Sequence, residues 1–316
     1  MPSIRRFVPN AQSSTTNTKL VIGMIGLGEV GSRFAAGLTR AGHAEILGYD
    51  SHFHIDGTRE KEIRLRESKT RLVQSPQALA AGADVLIAVV SCEIACQTAE
   101  KFSAFLHSGQ YYLDLSSAVP KKKAEIAAVI GQSGTHFLDG GILNSPEVLW
   151  EKTPVVLSGP EAASVAARLN TCGMNIRALG SKIGQASGLK ILRSIFAKSL
   201  EALLLETYTA ADFYGVLPQV QQALLDMFER EAIAPMFERM VATDAVHALR
   251  RAKEIESMAQ VLEADRLDST MSRAAAKKLY WSASSGMQQA LGGHIPENYR
   301  CVVRYMEEYQ KSSRRT

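Results

Sequence analysis

The chain lacks any apolar run long enough to span a bilayer, and residues 1–18 are polar, rich in Ser, Thr and Asn, with no hydrophobic stretch of a secretion signal. A cytoplasmic protein without a membrane partner is the expectation, with residues 1–18 as a disordered leader. Cysteine is scarce. Cys92, Cys96, Cys172 and Cys301 are too few for a disulfide framework and match no zinc-ligand spacing. Cys92 and Cys96 would share a helical face, yet no His stands at zinc-site distance from them, so buried free thiols and no metal are expected. A strong charge of one sign is also missing. The formal charge is +4, and much of the excess lies at the ends, in Arg5, Arg6, Lys311, Arg314 and Arg315. No basic run is interleaved with aromatics inside the chain, which argues against a nucleic-acid partner. Internal repeats and low-complexity segments are absent.

What is present suits two globular domains. A chain of 316 residues can bury two cores, and 46% hydrophobic with 22% charged residues excludes wholesale disorder. Residues 20–25, 44–49 and 84–90 read as buried strands, and 111–115, 136–138 and 154–158 as weaker ones. Helical stretches at 29–40, 93–107, 121–130 and 161–170 fall between them. Continuous apolar strands alternating with helices predict an α/β domain, a parallel sheet covered on both faces. Past Lys190 the only glycines are Gly215, Gly286, Gly292 and Gly293, and no strand is convincing. Ala, Leu, Met, Glu and Arg recur there at helical spacing. One long helix is expected over 183–213, ended by Gly215 and Pro218, with others over 229–264 and 270–289. The chain thus divides into a Rossmann-type domain at 19–180 and an all-α domain at 181–316, with the boundary near 178–185.

The sharpest motif is Gly26-Leu27-Gly28-Glu29-Val30-Gly31, directly after an apolar strand and at the start of a helix. A bare G-x-G-x-x-G is weak, but here Gly26 permits a tight turn, Gly28 lets backbone approach a pyrophosphate, and Gly31 allows close helix–strand packing. The helix start offers N–H groups and a positive dipole end to phosphate. Asp50, about 20 residues on at the end of the second strand, stands where a carboxylate hydrogen-bonds an adenosine ribose. Such a carboxylate repels a 2′-phosphate, and no Arg follows in Ser51-His52-Phe53-His54, so NAD is favoured over NADP. His52 and His54 read as exposed loop residues. Val90 and Ser91, ending the third strand, complete the expected cofactor contacts.

Further segments resemble the β-hydroxyacid dehydrogenase superfamily, which includes 3-hydroxyisobutyrate and 6-phosphogluconate dehydrogenases. Asp114-Leu115-Ser116-Ser117-Ala118-Val119-Pro120 is similar to that family's D-x-S-T-x-x-P segment, which implies substrate contacts for Ser116, and for Ser117 beside it. Gly184-Gln185-Ala186-Ser187-Gly188-Leu189-Lys190 looks like its G-x-G-x-x-x-K, which implies that Lys190 is the catalytic acid/base. A lone helical Lys is ordinarily a solvated charge; the apolar Leu189-Ile191-Leu192 setting would desolvate this one and bring its pKa towards neutrality. The run 190–204 with Arg250-Arg251-Ala252-Lys253-Glu254-Ile255-Glu256 is similar to a phosphogluconate-dehydrogenase-like subgroup with a distinctive helical C-terminal domain, in which Lys198 falls at a second Lys. Two departures stand out. Ser194, beside Arg193, replaces the Asn that the family places four residues after its Lys, and Asn144 and Ser145 replace a glycine pair of the substrate loop.

The resemblance implies hydride transfer between a nicotinamide and a carbinol or carbonyl carbon of a small acidic substrate. Lys190 would carry the proton with Ser194 on its face, and Ser116, Ser117, Asn144, Ser145 and Arg193 would hold the substrate. Arg193, Lys198, Arg250 and Arg251 are candidates for its anionic group, although a solvated helix face accounts for most of them. An imine reductase is the nearest alternative, set back by Lys190, which imine reductases of this architecture generally lack; a dinucleotide-binding sensor without turnover is the other. The resemblance also implies a homodimer packed through the C-terminal helices, with the active site in an interdomain cleft.

Overall fold

Adjacent residues bury opposite faces of β1 (Val21–Ile25): Ile22 and Met24 enter one core while Ile25 enters another. The division recurs in β4 (Val85–Ala88), whose Val85 and Ile87 join the first core and whose Leu86 and Ala88 join the second. The computed structural model describes residues 19–52 and 59–314. Its other strands are β2 (Glu45–Tyr49), β3 (Arg71–Leu72), β5 (Tyr111–Asp114), β6 (His136–Ile142), β7 (Pro154–Ser158) and β8 (Asn175–Gly180). Together they form an eight-stranded sheet in the order β3-β2-β1-β4-β5-β6-β7-β8. On one face α1 (Glu29–Ala41) brings Phe34 and Leu38, and α7 (Ala162–Thr171) brings Val165 and Leu169. On the other, α3 (Pro76–Gly82) brings Leu79, α4 (Ala95–Ser103) Phe102, and α5 (Pro120–Gly131) Ile126 and Ile130.

The sequence predicts a parallel sheet, but the sheet is parallel only in part. β7 runs antiparallel to β6, with Asp139 opposite Ser158. The connection at 143–153 holds only α6 (Pro146–Leu149) and a 3-10 turn, Trp150–Lys152. It is too short for the crossover that a parallel neighbour requires. Elsewhere the pairs are parallel, and one transverse row links Ile25 to Ala88, Ala88 to Asp114 and Asp114 to Asp139. The row continues through Ser158 to Gly180.

Several elements carry too weak a pattern to be read from sequence. α2 (Arg59–Ser68) is charged almost throughout, β3 is short and exposed, and α3 and β8 were likewise not anticipated. α4 begins at Ala95, so Cys92 precedes it and shares no helical face with Cys96. Nor are the thiols uniformly buried: Cys172 is, but Cys92 and Cys301 are exposed. Among the described residues no cluster of His, Cys, Asp and Glu could hold a metal ion, and no helix is long and apolar enough to cross a membrane. The leader expected at 1–18, and His54, lie outside the described residues.

The chain separates into two compact units, Met1–Ser194 and Ile195–Thr316, and the division falls within α8 (Gln185–Phe213). In the second unit Gly215, at φ 69°, follows the end of α8, and Pro218 lies in the first turn of α9 (Leu217–Glu229). α10 (Ile233–Ala264) packs along α11 (Thr270–Ala283); its buried residues are Met236 and five alanines, Ala242, Ala245, Ala248, Ala252 and Ala259, small enough for close approach. The helix expected to run to 289 stops at Ala283, because Gly286 at φ 77° turns the chain into α12 (Met287–Ala290). α13 (Arg300–Ser313), which was not anticipated, adds Val302 to a small core with Ala245 and Met287.

Glu206, in α8, secures the start of α11. Its carboxylate accepts the Met271 N–H at 2.6 Å, the Ser272 N–H at 3.0 Å and the Ser272 hydroxyl at 2.6 Å. Replacing Glu206 with Ala strands these donors and should lower unfolding free energy by about 1–3 kcal/mol. Urea denaturation of the two proteins measures it; identical midpoints would mean that water replaces the carboxylate without cost.

Candidate active site

The glycine loop fits a dinucleotide for steric reasons. Gly26 has φ 87°, and a Cβ there would lie 2.6 Å from the Val89 carbonyl oxygen. A Cβ on Gly31 would lie 2.0 Å from the Gly26 carbonyl oxygen, so the first turn of α1 sits directly on the loop. Gly28 differs: a Cβ there would meet nothing within 4 Å, so this backbone faces open space. Gly28 also precedes α1 without offering a capping side chain, and first-turn N–H groups have no acceptor within a helix. An opening of about 300 Å³ at this point is lined by Gly26, Gly28, Asp50, His52, Val90 and Ser91. It lies at the carboxyl ends of β1 and β4, where the strand order reverses, the general ligand position in such sheets.

Asp50 shapes the same opening. Its Oδ2 accepts the Leu27 N–H at 2.7 Å and its Oδ1 accepts the His52 N–H at 2.8 Å. Both oxygens therefore hold backbone, and each retains a lone pair for a hydroxyl. Leu27 is buried and contributes only backbone, Val30 packs against the core, and Glu29 is drawn into an ion pair with Arg33. Lys61 and Lys101 line this opening as well, two cations that no sequence pattern flagged.

Lys190 lies in the second turn of α8 and donates to the Ser117 hydroxyl at 2.9 Å. Burial holds its pKa below the ordinary lysine value, helped by the Lys123 ammonium; the Asp114 and Asp139 carboxylates and Cys92 act in the opposite sense. Lys123 itself is wholly buried. Its Nζ lies 2.6 Å from the Asp114 carbonyl oxygen, 3.3 Å from Asp114 Oδ2 and 3.6 Å from Asp139 Oδ1.

Over residues 21–179 the chain matches the family described as the NAD binding domain of 6-phosphogluconate dehydrogenase. The chain belongs to that family. Residues 211–281 match a second family, a domain of unknown function (DUF1932). A conserved hypothetical protein from Sinorhizobium meliloti is 28% identical, with a TM-score of 0.58 over 92% of this chain and 97% of that one. An imine reductase from Myxococcus stipitatus, solved with NADP+, is 16% identical, with a TM-score of 0.69 over 90% of this chain and 99% of that one. Human cytokine-like nuclear factor N-PAC is 25% identical across 71% of this chain, which spans 40% of N-PAC's length. The fold is therefore that of NAD(P)-binding dehydrogenases and reductases.

Within this family's sheet unit the structure brings together some of the residues singled out above and separates others. The hydroxyl beside Lys190 belongs to Ser117, which is exposed. Ser116, given the substrate contact by resemblance, is buried; its N–H donates to Asp114 Oδ1 at 2.9 Å and its Oγ accepts the Ala118 N–H at 3.4 Å. That hydroxyl holds a turn and leaves the outward position to its neighbour. Arg193 donates to the Leu143 carbonyl and, at 2.8 Å, to Asn144 Oδ1. Ser145 precedes α6 and is exposed, and Ser194 is one turn beyond Lys190. Arg250 pairs with Glu254 and Arg251 donates to Thr243 at 2.9 Å, both within α10.

Gly31→Ala tests the cradle. The new methyl must displace the Gly26 carbonyl, and isothermal titration should register at least a tenfold loss of dinucleotide affinity, about 1.4 kcal/mol. Unchanged affinity would place the nucleotide elsewhere.

Proposed function

We propose that this chain is an NAD(P)-dependent oxidoreductase acting on a hydroxyl or carbonyl carbon of a small acidic substrate, with Lys190 as acid/base. The observation that carries the reading is a partly buried lysine of lowered pKa, held by Ser117 in the same unit as the glycine cradle. A bound dinucleotide supplies or accepts the hydride. The protein's part is to hold phosphate at the start of α1 and to manage one proton. Neutral Lys190 takes the hydroxyl proton during oxidation, and its ammonium returns one during reduction. Ser117 occupies one Nζ–H and so orients the amine. Arg193, fixed by Leu143 and Asn144, keeps further N–H donors for a carboxylate or phosphate.

Asp50 favours NAD, since its carboxylate would repel a 2′-phosphate. Lys61 and Lys101 on the same opening are the cations an NADP-specific site would use, so calorimetry with NAD(H) and NADP(H) side by side decides the point. A homodimer through the C-terminal helices is part of the proposal, supported by Ile195, Phe196, Leu205, Phe213 and Leu225, which are all more than half exposed in the single chain. Light scattering on eluted protein should give twice the chain mass. A cytoplasmic setting is in keeping with four free cysteines.

The fold likeness to an imine reductase favours a second reading, in which the Lys190 ammonium protonates the nitrogen of a C=N bond. Cyclic imines assayed beside 2- and 3-hydroxyacids separate the two, and cofactor binding without turnover on either panel would point to a sensor. Under the main reading, Lys190→Ala should cut turnover by about 100-fold or more while leaving dinucleotide affinity intact. The pH dependence has a fixed sign. Oxidation needs the neutral amine, so its rate rises as pH climbs through a midpoint below that of an ordinary lysine, and reduction falls through the same midpoint.

A further inference from the structure

Asp139 has no assigned role, yet more bonds converge on it than on any group around Lys190. It is fully buried in the middle of β6, where an ionised carboxylate is tolerated only if its oxygens are satisfied. Its Oδ2 accepts the Gly184 N–H, the Ser187 N–H and the Ser187 hydroxyl, each at 3.0 Å, and the Ser158 hydroxyl at 3.2 Å. Ser158 in turn accepts the Ala186 N–H at 3.0 Å. These amides form the start of α8, where unpaired N–H groups and the dipole favour a negative charge. α8 is thus capped by a strand residue 45 positions earlier in the chain.

The capping bears directly on Lys190. Ser187 and Lys190 are three residues apart and share a helix face. Asp139 and Gly141 are two apart and share a strand face. A Cβ on Gly141 would lie 3.2 Å from Lys190 Cβ and 3.1 Å from the Ala186 carbonyl oxygen, so helix and strand meet with no space between them. One oxygen of Asp139 therefore fixes the helix, and the glycine two residues on fixes how closely Lys190 approaches the sheet.

The other oxygen acts through charge. Asp139 Oδ1 and Asp114 Oδ2 make no hydrogen bond; both face the Lys123 ammonium, at 3.6 and 3.3 Å. Two carboxylates against one ammonium leave an excess negative charge. The groups facing Lys190 are Lys123 from α5, Asp114 from β5, Asp139 from β6 and Cys92 ahead of α4.

We propose that Asp139 is the positioning residue of Lys190: it anchors the first turn of α8 to β6 and, with Asp114 and Lys123, sets how readily Lys190 gives up its proton. The proposal rests on the reading of Lys190 as the proton-transfer group, but its test does not need turnover. Full-length protein is labelled with acetic anhydride across a pH series, and acetylation of Lys190 is read by peptide mass spectrometry, with circular dichroism as the folding control. Asp139→Asn keeps an acceptor for the α8 amides and removes the charge. Its labelling midpoint should fall by about one pH unit, a tenfold rise in neutral amine at fixed pH. An unchanged or raised midpoint in the folded variant overturns the proposal. Hydrogen exchange on the native protein gives an independent reading. The Gly184 and Ser187 amides should exchange as slowly as those of the central strands, and fast exchange there also overturns it. Should Lys190→Ala retain turnover, the acid/base reading fails while the labelling result stands.

Discussion

A sheet buried on both faces has only its strand ends left to offer a ligand, and that constraint governs the first unit. Ile22 and Met24 commit one side of β1 to the core, and Ile25 commits the other. The open polar groups of the glycine loop gather at the edge where strands hand over to helices. The glycine loop follows β1 there, Asp50 follows β2, and Asp114 ends β5. Gly26, Gly28 and Asp50 line the opening there, while Asp114 is buried behind it.

The parts legible in the sequence were those written locally. The glycine loop, the acid at the end of the second strand and the long helix through Lys190 each show within a few turns of chain, through spacing or a break such as Gly215. The charged α2 and the short β3 lack an apolar stripe, so no period marks them. The reversal at β7 was hidden for another reason: strand direction depends on the length of a connection, whereas periodicity reports only that a strand exists.

The buried charges were the least legible. Lys123, in Pro120-Lys121-Lys122-Lys123, looks like one of three solvated lysines, and only the packing of α5 on the sheet separates it from its neighbours. Asp114 and Asp139 are far apart in sequence and become neighbours through strand register alone. The choice between Ser116 and Ser117 was equally closed to sequence, since a turn stabilised by Asp114 decides which hydroxyl faces outward. Resemblance could point to the segment but not to the side of it.

The row of paired residues that crosses the sheet also acts as a ruler. Ile25, which precedes the glycine loop, and Gly180, which precedes α8, lie on the same transverse line. β6 overshoots that line by residues 140–142, and antiparallel β7 brings the chain back to it. Lys190 then stands over β6, three strands from β1 and roughly 14 Å away at ordinary strand spacing. The separation between the glycine loop and Lys190 is therefore counted in whole strands. A side-chain substitution at either end leaves that count unchanged, with β4 and β5 lying between the two.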